Sequence, residues 1–194
     1  MIKHVKRSLI VMAILIPAVS AHAKKRVKTF KVSKEIHLPA SKVWAVVGED
    51  YGAIAHSHPK IISSSYINGT LKAGEGAERV CAFNEKGTQY LKEKMTKYKP
   101  EEMSFVNTVF QAGKFPVDPS VTQALYQVED LGHGKSKFTF DMQYRTKPAF
   151  LGGLMKGQFK KMINDYFIAV EHYAKTGEKV TKDNFKSIRK LYKI

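Results

Sequence analysis

The chain has 194 residues, 33 Lys and Arg against 17 Asp and Glu for a formal charge of +16, 43% hydrophobic residues and a single cysteine. The hydrophobic share excludes an extended disordered chain, and one cysteine excludes an internal disulfide framework. The charge by itself suggests a nucleic-acid binder, because clustered Lys and Arg displace counterions from phosphate backbones.

The first 23 residues argue against that reading. Lys3, Lys6 and Arg7 form a basic start, Leu9 to Ile16 is an unbroken apolar run, and Pro17 leads to Ala21-His22-Ala23, with small residues at the two positions a signal peptidase inspects. The apolar run falls well short of the roughly 20 residues that cross a bilayer as a helix, so an uncleaved anchor is the weaker alternative. The expectation is a secretory signal over 1–23, cleaved after Ala23, and a periplasmic mature protein. Removing those three cations and no acid leaves 171 residues of charge +13. For an exported protein nucleic acid is not an expected partner; an anionic membrane surface, an acidic envelope protein or an acidic ligand is. Cys81 has no partner in the chain.

From Thr29 to Leu38, residues Phe30, Val32, Ile36 and Leu38 share one face, with Lys34 as the exception, the period of a half-buried strand. Pro39 ends it. Val43, Trp44 and Val47 then recur at helical spacing, and Gly48 suits a left-handed helix end, which predicts a helix over Ala40–Val47. Tyr51–His56 reads as a second brief turn. Five or six strand-like segments follow, over Ile61–Ile67, Ala77–Phe83, Thr88–Tyr98, Met103–Gln111, Ser120–Glu129 and Lys135–Arg145. Short Gly, Pro and charged turns separate them, as in an antiparallel meander. The last alternates most clearly, with Phe138, Phe140, Met142 and Tyr144 on one face. Its cover is a long helix in which Leu151, Leu154, Met155, Phe159, Met162, Ile163, Tyr166, Phe167, Val170 and Tyr173 recur at steps of three and four up to Gly177. A helix of about seven turns laid on a curved sheet touches it at both ends and leaves space between.

This order, with Pro39-Ala40-Ser41-Lys42-Val43-Trp44, His58-Pro59, Gly76 to Arg79, Glu93-Lys94-Met95 and Pro116-Val117, resembles the SRPBCC or START-like helix-grip superfamily, in particular its polyketide cyclase/dehydrase and lipid transport group. The resemblance covers residues 28–176. It implies an α+β helix-grip fold: a curved antiparallel sheet of six to seven strands wrapped around a long C-terminal helix, with two short helices after the first strand. The expected organisation is a signal over 1–23, a ligand-binding domain over 24–177 and a basic amphipathic extension over 178–194.

Several residues are candidates for contact with a ligand. Arg79 and Glu93 fall in adjacent strands, where a guanidinium and a carboxylate inside an apolar cup would orient a ligand; a solvated surface pair is the plainer alternative. Alternation leaves their direction open, since Arg79 lies with Cys81 and Phe83, and Glu93 with Leu91 and Met95. His56 and His58 have the spacing of a metal pair, but no further ligand motif accompanies them, so neither a metal nor any other cofactor is expected. The resemblance places His58 near a cavity entrance. Phe138, Phe140, Met142 and Tyr144 with Met155, Phe159, Met162, Ile163 and Tyr166 would be both core and ligand wall in this fold, and Trp44 and Tyr90 complete the expected set. After Gly177, Val180, Phe185, Ile188, Leu191 and Tyr192 form an apolar stripe amid lysines; it either docks on the domain or meets an anionic membrane or acidic protein.

The expected function is a non-enzymatic periplasmic binding or carrier protein for a small hydrophobic or lipid-like ligand. A cyclase or dehydrase enzyme is the first alternative. No nucleophile elbow or phosphate loop supports it, and Glu93, Arg79, Tyr90 and His58 would be its first catalytic candidates. The resemblance also implies a third reading, a basic accessory protein docking an acidic redox partner, as beside methanol-oxidation systems.

Overall fold

Pro39 stops the first strand, β1 (Lys28–Ile36), and starts the first helix, α1 (Ala40–Trp44), in the computed structural model, which describes residues 27–192. The expected signal over 1–23 lies outside the described residues. In β1 Phe30 and Ile36 are buried and Val32 half-buried. The Lys34 exception has a partner: its ammonium donates to Glu171 Oε2 at 2.6 Å, so a cation on an inward face is neutralised by a helix that covers that face.

The first helix does not end at Gly48. It runs on as a π-helical turn over Ala45–Glu49, closed by Asp50 N–H donating to Ala45 O at 3.1 Å. Gly48 has no left-handed backbone. A Cβ there would stand 2.5 Å from the Trp44 ring, so glycine is needed for close packing and not for chain reversal. A 3-10 segment, Tyr51–His56, follows.

Six further strands come next: β2 (Ser63–Tyr66), β3 (Glu78–Ala82), β4 (Tyr90–Lys99), β5 (Ser104–Ala112), β6 (Gln123–Gly132) and β7 (Lys135–Tyr144). With β1 they form one antiparallel sheet in the order β1-β7-β6-β5-β4-β3-β2. The expected strand from Ser120 begins three residues later. Asp118 holds the intervening turn, accepting from Ser120 N–H at 3.1 Å and Ser120 Oγ at 2.8 Å, while the Thr122 hydroxyl donates to Asp118 O at 2.7 Å. Burial would raise the Asp118 carboxyl, but bonds from Arg145, Ser120 and Lys147 outweigh it and hold the group well below the usual carboxylate range.

The long helix, α2 (Gly152–Thr176), is about 37 Å in length at 1.5 Å per residue and ends at Gly177, whose φ of 73° is the left-handed cap the sequence predicts. Phe167, Val170 and Tyr166 on α2 are buried against the sheet, with Phe138 of β7 at 4.8 Å from Phe167 between ring centroids. The fold is the helix-grip: a seven-stranded curved sheet around a long C-terminal helix, with short helices after the first strand. Beyond it, α3 (Phe185–Leu191) packs back on the domain. Val180, Phe185 and Ile188 are buried with Ala169 of α2, and Ser57 pairs with Val180 in a parallel bridge. Leu191 alone of the expected stripe is largely exposed, at 74%.

Candidate functional site

Strand alternation turns one polar residue from each of three neighbouring strands onto the inner face: Arg79 of β3, Glu93 of β4 and Asn107 of β5. Arg79 and Glu93 are directly opposite in register. Glu93 faces Val109, which makes Asn107 its diagonal neighbour. Arg79 is 2% exposed and Glu93 7%. Arg79 Nε donates to Glu93 Oε2 at 2.8 Å, and Asn107 Nδ2 donates to Glu93 Oε1 at 2.8 Å. The other side of Asn107 accepts from the Tyr51 hydroxyl at 2.7 Å, and a second Arg79 nitrogen donates to the Tyr51 carbonyl at 2.8 Å. The guanidinium carbon stands 3.9 Å above the centre of the Tyr51 ring. Cys81 Sγ also approaches Glu93 Oε2, at 3.5 Å. A buried charge pair with this many satisfied bonds is a rigid polar patch in an otherwise apolar wall.

That patch borders a cavity between the inner face of the sheet and α2. Phe140, Met142, Val109 and Ala124 line it from the sheet, and Phe159, Met162, Ile163 and Tyr166 from the helix. The cavity is about 70 Å³, within about 660 Å³ of atom-free space once its mouth is counted. The mouth opens into a vestibule walled by Phe83, Phe115, Met155, Phe159 and Met162, with Lys60, Lys161 and Asp165 also on its wall. Met and Phe at this entrance are side chains that repack around differently shaped guests.

His58 enters the wall from the loop after the 3-10 segment. Its Nδ1 accepts from Lys60 N–H at 3.0 Å, which puts the ring proton on Nε2, and its ring lies 5.0 Å from that of Tyr166. Burial, and to a lesser extent the charge of Arg79, push its pKa down to about 3, so the imidazole is neutral. Because the folded value lies below the ordinary 6.5, the unfolded chain takes up a proton that the native one refuses as pH falls below about 6.5. This stability is complete above that pH and declines towards 3, by up to about 1.4 kcal/mol per pH unit. In His58→Asn, whose Oδ1 can still accept from Lys60 N–H, this slope is expected to vanish. Urea midpoints from pH 7 to 4.5 measure it, and equal slopes for the two proteins would contradict a buried neutral His58. Burial likewise pushes the Tyr51, Tyr126 and Tyr166 phenols and the Cys81 thiol up, so all four remain protonated and Cys81 is not a nucleophile.

Nine of the fourteen expected ligand residues line the cavity: His58, Arg79, Glu93, Phe140, Met142, Phe159, Met162, Ile163 and Tyr166. Met155 is in the vestibule. The other four are elsewhere. Trp44 is a core residue, stacked on Tyr98 at 6.0 Å and near Phe105 at 6.1 Å. Tyr90 lies on the outer face of β4, where its hydroxyl accepts from Gln111 Nε2 at 2.7 Å. Phe138 is wholly enclosed by Tyr126, Tyr166 and Phe167, and Tyr144 donates its hydroxyl to Gly152 O at 2.7 Å beneath the start of α2. Both point inward from β7, but where helix and sheet are already in contact. Asn107, Tyr126, Thr122 and Gln123 also line the cavity, and sequence reasoning missed them. Asn107 carried a readable signal, a lone amide between Phe105 and Val109 on an apolar face. His56 turns away from His58 towards Tyr173, whose hydroxyl is 3.5 Å from His56 Nδ1. Among the described residues no three His, Cys, Asp or Glu side chains converge as metal ligands.

A family model described as polyketide cyclase / dehydrase and lipid transport matches residues 28–168. The chain is similar in structure to Ara h 8.0201, with a TM-score of 0.59 at 20% identity over 77% of this chain and 98% of that one. It is similar to protein XoxI from Bacillus cereus, with a TM-score of 0.59 at 19% identity over 76% and 96% of the two chains. A solution structure from Thermobifida fusca gives 0.61 at 21% identity over 75% and 92%. Likenesses at such identity show a shared fold. Among curated proteins no sequence matches.

Proposed function

Since the chain belongs to the polyketide cyclase / dehydrase and lipid transport family, we propose that it is an exported, non-enzymatic binding or carrier protein that holds a small hydrophobic or lipid-like ligand between sheet and helix. The observation that carries this reading is the cavity: lined largely by apolar and aromatic side chains, entered through a Met- and Phe-lined mouth, with the bonded patch of Arg79, Glu93 and Asn107 among the polar groups that could orient a guest. Both oxygens of Glu93 accept bonds from Arg79 and Asn107, which supports a fixed hydrogen-bonding wall over a free general base. At about 70 Å³ the cavity proper suits a short chain or single ring unless the mouth side chains move. Export rests on residues 1–23.

The test is to fill the cavity. Ala124 is a buried residue of β6 on its wall. Ala124→Phe is expected to weaken binding of 1-octanol, followed by calorimetry, by at least about tenfold, while overpacking costs about 1–3 kcal/mol of stability. Octanol binding equal to wild type would place the ligand elsewhere.

A cyclase or dehydrase activity is the second reading, favoured by one feature. The neutral imidazole of His58 and the phenols of Tyr126 and Tyr166 share the cavity wall and supply hydrogen-bond donors for a substrate carbonyl.

A further inference from the structure

Lys182, Lys186 and Arg189 stand beyond the residues the family model covers: Lys182 is in the turn before α3, and Lys186 and Arg189 are at a three-residue step that aligns side chains on one side of that helix. Burial of Phe185 and Ile188 against α2 fixes the rotation of α3, and it puts Lys186 and Arg189, with Lys182 of the preceding turn, around one cleft with Lys161 of α2 and Lys60 of the loop after His58. The five line one cleft of about 180 Å³ with a single carboxylate, Asp165. Asp165 is 2.7 Å from the Lys161 ammonium and 3.8 Å from Arg189. Lys60, Lys182 and Lys186 have no ion-pair partner within 4 Å among the described residues, and the nearest acid in sequence, Asp183, lines the neighbouring cleft.

An excess of four positive charges around one cleft, on side chains that are mostly exposed, raises the local concentration of anions there. Lys60, Lys161 and Asp165 belong also to the wall of the apolar vestibule, so the cleft and the vestibule adjoin. We propose that the ligand is an amphipathic anion, its carboxylate or phosphate head held in the cleft by Lys60, Lys182 and Lys186 and its apolar part entering the cavity through the vestibule. This rests on the cavity being the binding site, as proposed above, and adds the class of molecule it takes. The extension is then the part of the chain that selects charged over neutral guests.

Calorimetry of the intact chain with 1-octanol, octanoate, octyl phosphate and inorganic phosphate alone tests it, in the wild type and in Lys182→Glu/Lys186→Glu. Both charged chains are expected to bind at least about tenfold more tightly than octanol. The double variant and high salt should each remove that advantage and leave octanol binding unchanged. Equal affinity for octanol and octanoate, insensitive to the variant, would overturn the head-group assignment while the cavity reading stands. Inorganic phosphate binding as tightly as octyl phosphate would overturn it too, as a site for free anions. So would capture by phosphatidylglycerol vesicles without binding of either charged chain, which marks a membrane-facing patch. Silence from all three octyl compounds removes the cavity reading and this assignment with it.

Discussion

Replacing Arg79 by Met lowers the unfolding free energy by about 3–5 kcal/mol, because it leaves the Glu93 carboxylate in the protein interior without its cation. Both groups are buried and 2.8 Å apart, and the guanidinium also carries the Tyr51 carbonyl and lies on the Tyr51 ring. Urea unfolding of Arg79→Met and of Arg79→Met/Glu93→Met separates the pair from its parts. The double variant is expected to recover more than half of the loss, since the stranded charge is gone and two apolar side chains fill its place. It stays short of wild type because Asn107 Nδ2 and the Tyr51 carbonyl lose their partners, at about 1–3 kcal/mol for each buried group left unmatched. A loss under about 1 kcal/mol in the single variant would mean that the pair is solvated.

Phe138→Ala is expected to cost about 3–5 kcal/mol, the range for truncating an enclosed aromatic ring. Its ring is enclosed by Tyr126 at 6.1 Å, Tyr166 at 5.8 Å and Phe167 at 4.8 Å between centroids, and none of it is exposed. Such pairs each add about 0.5–1.5 kcal/mol beyond the area they bury. The ring does not line the cavity. Octanol affinity in the folded variant should therefore stay within about twofold of wild type, the reverse of Ala124→Phe. Urea unfolding and calorimetry on both variants give the comparison. A stability loss below about 1 kcal/mol in Phe138→Ala would show that the ring is not part of a close-packed core.

Those contrasts mark where the sequence was legible. The alternation of Phe138, Phe140, Met142 and Tyr144 correctly orients β7, yet four inward neighbours on one strand divide between core and cavity. Phe140 and Met142 border the space under α2, whereas Phe138 and Tyr144 meet the helix itself. Periodicity reports which way a side chain points and not how far away the opposing element is. Gly48 shows the same limit. A glycine after a helical run reads as a cap, and only the position of the Trp44 ring reveals that it is there for space. Lys34 broke the pattern of β1, and its explanation was 137 residues away, in Glu171.

The sequence by itself determined the elements, their order and the family, because strand and helix periods, turn residues and short ordered motifs are local and survive in a single chain. It also placed polar residues on semi-apolar faces at Arg79 and Glu93. Only the tertiary structure decided that these two face each other inward, that Asn107 and Tyr51 complete their bonding, and that Lys182, Lys186 and Arg189 of the extension arrive beside Lys60 and Lys161. Strand register and helix docking are set by all the packed neighbours together, so a site assembled across several elements has no signature along any one of them.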